Sequence, residues 1–154
     1  MEDIMQHRIS QSSLYKQCPR LVTHLTALGD VPESVNLSPQ LLHLVRLRAS
    51  QLNHCGFCQK MHTDEARADG ELQSRLDVLP AWKELSCFTA EERAALAWTE
   101  ALTLINHVEI TDAVFQSALD AFGESGLIEL TTVIVQINSW NRIAVSFRFQ
   151  PDIK

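Results

Sequence analysis

Two cysteines and a histidine stand at a spacing that suits redox chemistry. Cys55 and Cys58 are separated by two residues, and His62 follows Cys58 by four. On an α-helix, where each residue turns by about 100°, the three positions fall on one narrow face. Cys55 would lie in the first turn, where unpaired N–H groups and the helix dipole stabilise a thiolate. His62 would lie one turn beyond Cys58, within reach of its proton.

The histidine should matter more to the rate than the helix terminus does. A free cysteine with a pKa of ~8.5 is about 3% thiolate at pH 7. Lowering that pKa by about two units raises the thiolate fraction roughly 25-fold, and the lower intrinsic nucleophilicity removes about 8-fold of this gain. A positioned acid that protonates a departing oxygen or sulfur contributes ~10²–10⁴-fold. The combined motif therefore favours cleavage of an O–O or S–S bond assisted by an imidazole.

Two other interpretations of this motif remain open. Cys55, Cys58 and His62 could ligate a structural zinc ion, with His43 or His54 as the fourth ligand. Against zinc, the sequence has no second C-x-x-C and no H-x-x-x-H, and a core of this size does not require a metal. The pair could also be a buried structural dithiol. We predict redox chemistry, with no bound metal or cofactor.

The composition is that of one globular domain. The 154 residues are 45% apolar, and 13 Lys and Arg against 19 Asp and Glu give a formal charge of −6, which repels nucleic acid. No apolar run approaches the ~18 residues of a membrane span. The start of the chain lacks the apolar stretch of a signal peptide. We predict one cytoplasmic domain over residues 1–154 without nucleic-acid or membrane partners, in which Cys18 and Cys87 are buried apolar residues.

The secondary-structure signals are helical, and the alternating pattern of strands is scarce. Helix-capping residues are expected at Ser38, Thr89 and Thr111, a re-cap at Asn53, and a break at Gly123. These signals predict an all-α fold, whose main helices cover about 19–29, 39–52, 55–70, 90–105, 112–123 and 125–147.

The last predicted helix is apolar on nearly every side. Its apolar residues, which lie between Leu127 and Phe147, go most of the way round the helix. A helix of this kind needs neighbours all round it. In a domain this small we expect some of those neighbours to be other subunits, the alternative being a central helix covered by its own chain.

One segment resembles a known family. Leu44–Cys58, reading LVRLRASQLNHCGFC, together with His62, resembles the AhpD-like alkylhydroperoxidase branch of the carboxymuconolactone decarboxylase family. Glu92–Thr103 and Ile137–Arg142 agree with that branch, as does Leu79–Trp82, so that the likeness covers about 20–148. The resemblance implies an all-α AhpD-like fold with the C-x-x-C motif at a helix N-terminus, assembled as trimers or hexamers, and a thiol peroxidase activity.

The resemblance also implies roles for the motif. Cys58 would attack the hydroperoxide and become a sulfenic acid. Cys55, nearer the surface, would resolve it as a disulfide and receive electrons from a dihydrolipoamide- or thioredoxin-type dithiol. His62 would relay protons.

Two positions depart from the family pattern. His43 stands where a glutamate is usual, twelve residues before the first cysteine. We expect His43 to share in proton movement, and Glu65, three residues after His62, to offer a substitute carboxylate. His54 stands where glycine is common.

Two alternative functions follow from the same features. The loss of the usual glutamate at His43 favours a redox-responsive oligomeric binding protein with little turnover. A decarboxylase like the family's namesake is the other alternative, and Cys55 and Cys58 count against it because such members need no cysteine pair.

Overall fold

The computed structural model describes residues 6–154. The first five residues of the predicted domain lie outside this range, as does the start of the chain on which the expectation of no signal peptide was based. No strand occurs within these residues, which confirms the all-α prediction. The α-helices are α1 (Gln11–Gln17), α2 (Pro19–Ala27), α3 (Pro39–Leu52), α4 (Gly56–Ala68), α5 (Gln73–Asp77), α6 (Ala90–Thr103) and α7 (Asp112–Phe147), with a 3₁₀ helix (Leu79–Glu84) between α5 and α6. In residues 6–154, none of the helices has both the length and the apolar content needed to cross a bilayer.

Three helices, α3, α6 and α7, start at the predicted capping residues Ser38, Thr89 and Thr111. The Ser38 hydroxyl accepts the Leu41 N–H at 3.1 Å and begins α3. Thr89 and Glu92 form a complete capping box at the start of α6. The predicted break between the two C-terminal helices is present: Gly123 divides α7 into two helical stretches, and its φ of 69° is one that glycine adopts without strain.

The start of α4 differs from the prediction. Asn53 does not cap this helix; Cys55 occupies the cap position, and its Sγ accepts the Cys58 N–H at 3.2 Å. The Asn53 amide is used elsewhere, donating to Asn138 at 3.0 Å and to Asn141 at 2.9 Å on α7. A buried amide without a partner is destabilising, so these bonds hold the end of α3 against α7 immediately before the cysteines.

Most of the core lies between α3, α6 and α7. A large apolar cluster joins these three helices, and a second joins α3 and α6 to α4, α5 and the 3₁₀ helix. A third, smaller cluster joins α1, the start of α4 and the end of α7, and it contains both Cys55 and Cys58. The cysteines are therefore placed by packing between the two ends of the chain and α4.

One face of α7 is not covered by its own chain. Ile128 is 58% exposed and Val135 is 52% exposed, so the single chain does not surround this helix. Cys18 is half-buried and Cys87 is exposed, so the prediction that both are buried is wrong for Cys87.

Candidate active site

Cys55 and Cys58 are joined in a disulfide, with their Cα atoms 5.3 Å apart. Both side chains are deeply buried, each with a residue exposure of 1%. The expectation that Cys55 lies nearer the surface is therefore not met. Its physical reason is the third apolar cluster, in which residues of α1, α7 and the C-terminal segment cover both sulfurs together.

His62 is buried one helical turn beyond Cys58 and is oriented by a carboxylate. Its Nδ1 lies 3.0 Å from Glu65 Oε2, a distance at which the ring N–H donates to the carboxylate. Its Nε2 is buried and has no hydrogen-bond partner within residues 6–154. With Nδ1 holding the proton, Nε2 carries the lone pair and is free to accept a proton from a reacting group.

Glu65 lies between two histidines. The same oxygen that bonds to His62 is 4.0 Å from His43 Nδ1. The other ring nitrogen of His43, Nε2, donates to Asp69 Oδ2 at 2.6 Å. Glu65 therefore lies between His43 and His62. It supplies the carboxylate that the family pattern has at position 43 and that this chain, with a histidine there, lacks.

Glu65 is held in its charged form. The hydrogen bond from His62 is the main cause that lowers the pKa of Glu65, while burial acts in the opposite direction. The charges of His62, His43 and Arg46 lower this pKa further. At neutral pH the carboxylate is thus ionised and fixes the tautomer and the ring orientation of His62.

Sequence reasoning missed two members of this site. Asp69 bonds to His43, and Arg46 lies close enough to Glu65 for their charges to interact. A signal for Asp69 was present, because Cys58, His62, Glu65 and Asp69 follow one another at helical intervals of four, three and four residues, the first three on one face of α4 and Asp69 at its C-cap.

Two cavities border the disulfide, one lined by Cys58 and the other by Cys55. The larger, of about 340 Å³, is lined by Cys58, His62, Glu65 and Arg46 together with a mostly aromatic and apolar wall. A second cavity of about 270 Å³ is lined by Cys55 and its neighbour His54. Each sulfur-bearing residue thus borders its own cavity, and only Cys58 shares one with His62.

The backbone conformation at His54 is one that glycine would adopt more easily. Its φ of 54° lies in the left-handed region, which is disfavoured by about 1–2 kcal/mol for a residue with a side chain. Glycine, common at this position in the family pattern, would adopt that conformation freely. His54 contributes to the second cavity but to none of the contacts of His62 described above.

The zinc interpretation finds no support in the geometry. Within residues 6–154, no three or more His, Cys, Asp and Glu side chains are grouped so as to hold a metal ion. Cys55 and Cys58 are bonded to each other, and His62 is bonded to Glu65.

The chain is similar to several known proteins. It is 33% identical over 134 residues to the uncharacterized protein YdfG of Bacillus subtilis strain 168, covering 87% of this chain and 91% of that one. It matches the crystal structure of ATU0492 from Agrobacterium tumefaciens, a protein of unknown function for which a role as the antioxidant defence protein AhpD has been suggested. That match has a TM-score of 0.87 and 34% identity and covers 97% of this chain and all of the other.

A more distant match shows the fold alone. The debrominase Bmp8, in a variant bound to 2,3,4-tribromopyrrole, has a TM-score of 0.77 at 17% identity, covering 91% of this chain and 74% of that one.

Fold and disulfide together define an all-α protein of the AhpD type. The model of the carboxymuconolactone decarboxylase family matches residues 19–101, which include α2, α3, α4 and most of α6. The chain belongs to the carboxymuconolactone decarboxylase family, in its AhpD-like branch.

Proposed function

We propose that this protein is a thiol peroxidase that reduces hydroperoxides through Cys55 and Cys58, with His62 as the proton relay. The observation that carries the proposal is that Cys58, joined to Cys55 in a disulfide, lines the same cavity as the unpartnered Nε2-bearing ring of His62. A cysteine that can be oxidised and a histidine that can accept a proton thus border one space in which a small molecule can bind.

The first half-reaction begins with both cysteines reduced. His62 Nε2 takes the proton of Cys58, and the thiolate attacks the outer oxygen of the hydroperoxide. The S–O bond forms as the O–O bond breaks, and His62 returns its proton to the departing alkoxide, giving an alcohol and a Cys58 sulfenic acid. The Cys55 thiol then loses its proton, and its thiolate attacks the Cys58 sulfur. The S–S bond forms as the S–O bond breaks, and the departing hydroxide takes up the proton that Cys55 lost and leaves as water. The result is the disulfide found here.

Cys58 is assigned as the attacking cysteine for a quantitative reason. In the reduced protein, the position of Cys55 at the cap of α4 would favour its thiolate, but that advantage would amount to only about threefold once the lower nucleophilicity is counted. The acid–base group beside Cys58 contributes ~10²–10⁴-fold. Proton transfer by His62 therefore contributes more to the rate of attack than the position of Cys55 at the helix terminus does.

The second half-reaction restores the dithiol. A donor of the dihydrolipoamide or thioredoxin type would attack Cys55 through the second cavity, and Cys58 would leave as a thiolate that His62 protonates. The second donor thiol then displaces Cys55, leaving the donor oxidised to a disulfide. Because such a cycle needs a steady supply of reductant, we place it in the cytoplasm, where thiols are kept reduced.

Single-turnover mixing tests the proposal. The reduced protein, mixed with cumene hydroperoxide, should consume two thiols per chain and release the corresponding alcohol. Cys58→Ser should lower the rate of peroxide consumption by at least about 10³-fold, since only the nucleophilic sulfur is lost. Cys87→Ser, at an exposed cysteine outside the site, is the matched control. A Cys58→Ser protein that consumes peroxide as fast as the wild type contradicts the assignment.

Steady-state turnover separates this function from the alternatives. Sustained consumption of peroxide with dihydrolipoamide would exclude a redox-responsive binding protein that turns over little. The loss of the family glutamate at His43, which favours that alternative, is offset because Glu65 holds His62. Activity on a lactone carboxylate that survives replacement of both cysteines would indicate the decarboxylase instead.

We also propose a homo-oligomer, a trimer or a hexamer. The support is the exposed apolar face that includes Ile128 and Val135 of α7 and Ile105 beside it. A second copy of the chain would cover the side of α7 that this chain leaves open. Light scattering should report a molar mass three or six times that of the 17.4 kDa chain, and Val135→Glu should lower this mass. A monomeric wild type would contradict the proposal.

A further inference from the structure

The cavity at Cys58 is larger than hydrogen peroxide requires. Its volume is about 340 Å³, whereas a water molecule, which is little smaller than hydrogen peroxide, occupies ~30 Å³ in the liquid. Much of the wall is apolar, formed by Phe57, Met61, Ile137, Trp140 and Phe149. Space of this size and lining suits a ligand with an aromatic or branched apolar body.

The lining of this cavity includes the guanidinium-bearing residue Arg46. Arg46 lines the cavity, and burial lowers the pKa of its guanidinium, an effect that the charge of Glu65 opposes. Within residues 6–154, Arg46 forms no ion pair at 4.0 Å or less, and the nearby Glu65 is hydrogen-bonded to His62 instead. The guanidinium therefore borders an apolar space without a direct counter-ion from the described chain.

We propose that the substrate is an organic hydroperoxide that carries a carboxylate, with its apolar body against the aromatic wall and its carboxylate paired with Arg46. This inference rests on the proposed peroxidase function. A guanidinium offers two parallel N–H donors that match a carboxylate, and the pairing is strengthened where water is excluded. The carboxylate takes no part in the chemistry: the O–O bond breaks at the other end of the molecule, as described above. Arg46 is accordingly a specificity-determining residue and not a catalytic one.

The first test compares two substrates. Cumene hydroperoxide and its para-carboxy derivative have the same reactive group and differ by the carboxylate at the other end of the ring. The wild type should prefer the carboxylated compound in kcat/KM by about tenfold or more, through a lower KM. Arg46→Gln should remove most of this preference, Arg46→Lys should keep part of it, and Arg20→Gln, at an exposed arginine outside the cavity, should keep all of it.

The second test measures binding without turnover. Titration calorimetry on the oxidised wild type would use para-isopropylbenzoate and the neutral para-isopropylbenzamide, neither of which reacts. The benzoate should bind about tenfold more tightly, and Arg46→Gln should abolish the difference. This readout also serves if a variant is unstable, because the wild type alone must distinguish the two compounds.

The outcomes distinguish the inference from the function it rests on. If the wild type consumes both hydroperoxides equally, or prefers the neutral one, the inference is wrong and the peroxidase function stands. A preference for the neutral compound is what repulsion by the Glu65 carboxylate alone would produce. If no hydroperoxide is consumed but the benzoate binds in an Arg46-dependent manner, the anion site is supported and the peroxidase function fails.

Discussion

Glu65 and Glu100 are two carboxylates of this fold whose pKa values are both lowered, but by different partners. Glu100, on α6, accepts hydrogen bonds from Arg48 at 2.9 Å and Trp82 at 2.8 Å, and Lys83 lies 3.0 Å away. Burial raises the pKa of Glu100, but these donors outweigh it and keep that pKa below the ordinary value. Glu65 is likewise kept ionised, but by His62 first of all.

The difference lies in what the partners can do. Guanidinium, ammonium and indole groups do not exchange protons near neutral pH. The Glu100 cluster, built with Arg48, Lys83 and Trp82, therefore holds α3, α6 and the 3₁₀ helix together without moving a proton. Histidine exchanges its proton in this range, so the Glu65 cluster can move one. The side chain of Glu100 is 13% exposed and that of Glu65 is 47% exposed, as expected for a structural group and for one beside a cavity.

The largest expected effect is on stability, at Glu100. Glu100→Gln leaves the Arg48 guanidinium in a nearly buried place without its carboxylate, which we expect to lower the free energy of unfolding by about 3 kcal/mol. Urea denaturation measures this loss. Glu65→Gln, examined in the same way, should lose less than about 1 kcal/mol because its side chain is half exposed. Equal losses in the two variants would remove the distinction between the clusters.

The second effect is on activity, at Glu65. Glu65→Gln keeps the size of the side chain but removes the charge that fixes the His62 tautomer. We expect kcat/KM for cumene hydroperoxide to fall about 10–100-fold, the usual effect of losing a carboxylate that orients a functional histidine. Asp64→Asn removes a neighbouring exposed carboxylate of α4, paired with Lys60, and should leave the rate within about twofold. An unchanged rate in Glu65→Gln would assign the orientation of His62 to its packing alone.

A smaller effect is expected at His43. Its Nδ1 is 4.0 Å from Glu65, too far for a hydrogen bond, so it acts on His62 indirectly. His43→Gln should therefore lower kcat/KM by about threefold, well below the effect of Glu65→Gln. Stopped-flow kinetics with both variants gives the ratio directly. A loss at His43 as large as that at Glu65 would mean that His43 handles the transferred proton itself.

The helices and the motif were predictable because both are local. The caps at Ser38, Thr89 and Thr111, the break at Gly123 and the shared face of Cys58 and His62 depend on residues a few positions apart. The family resemblance extended this reading to the fold.

What the sequence did not show depends on contacts between distant segments. Asn53 was predicted as a cap because nothing local indicates that Asn138 and Asn141, more than 80 residues away, take its amide. The His43–Asp69 bond requires α3 to pack against α4, and the equal burial of Cys55 and Cys58 requires both chain ends to cover them. Arg46 was missed because its significance comes from the cavity it borders.

The smallest expected effect is on the acid limb of the stability curve. Because the folded-state pKa of Glu65 lies below its ordinary value of 4.5, the ionised group stabilises the fold above about pH 4.5. This contribution is lost as the pH falls through the lower, folded-state pKa. Glu65→Gln should therefore make the loss of stability between about pH 6 and pH 3 shallower, by only about 0.5 kcal/mol because the side chain is half exposed. Urea denaturation at the two pH values measures it against Asp64→Asn. A steeper acid limb in Glu65→Gln would mean that the carboxylate does not bond to His62 as a charged group.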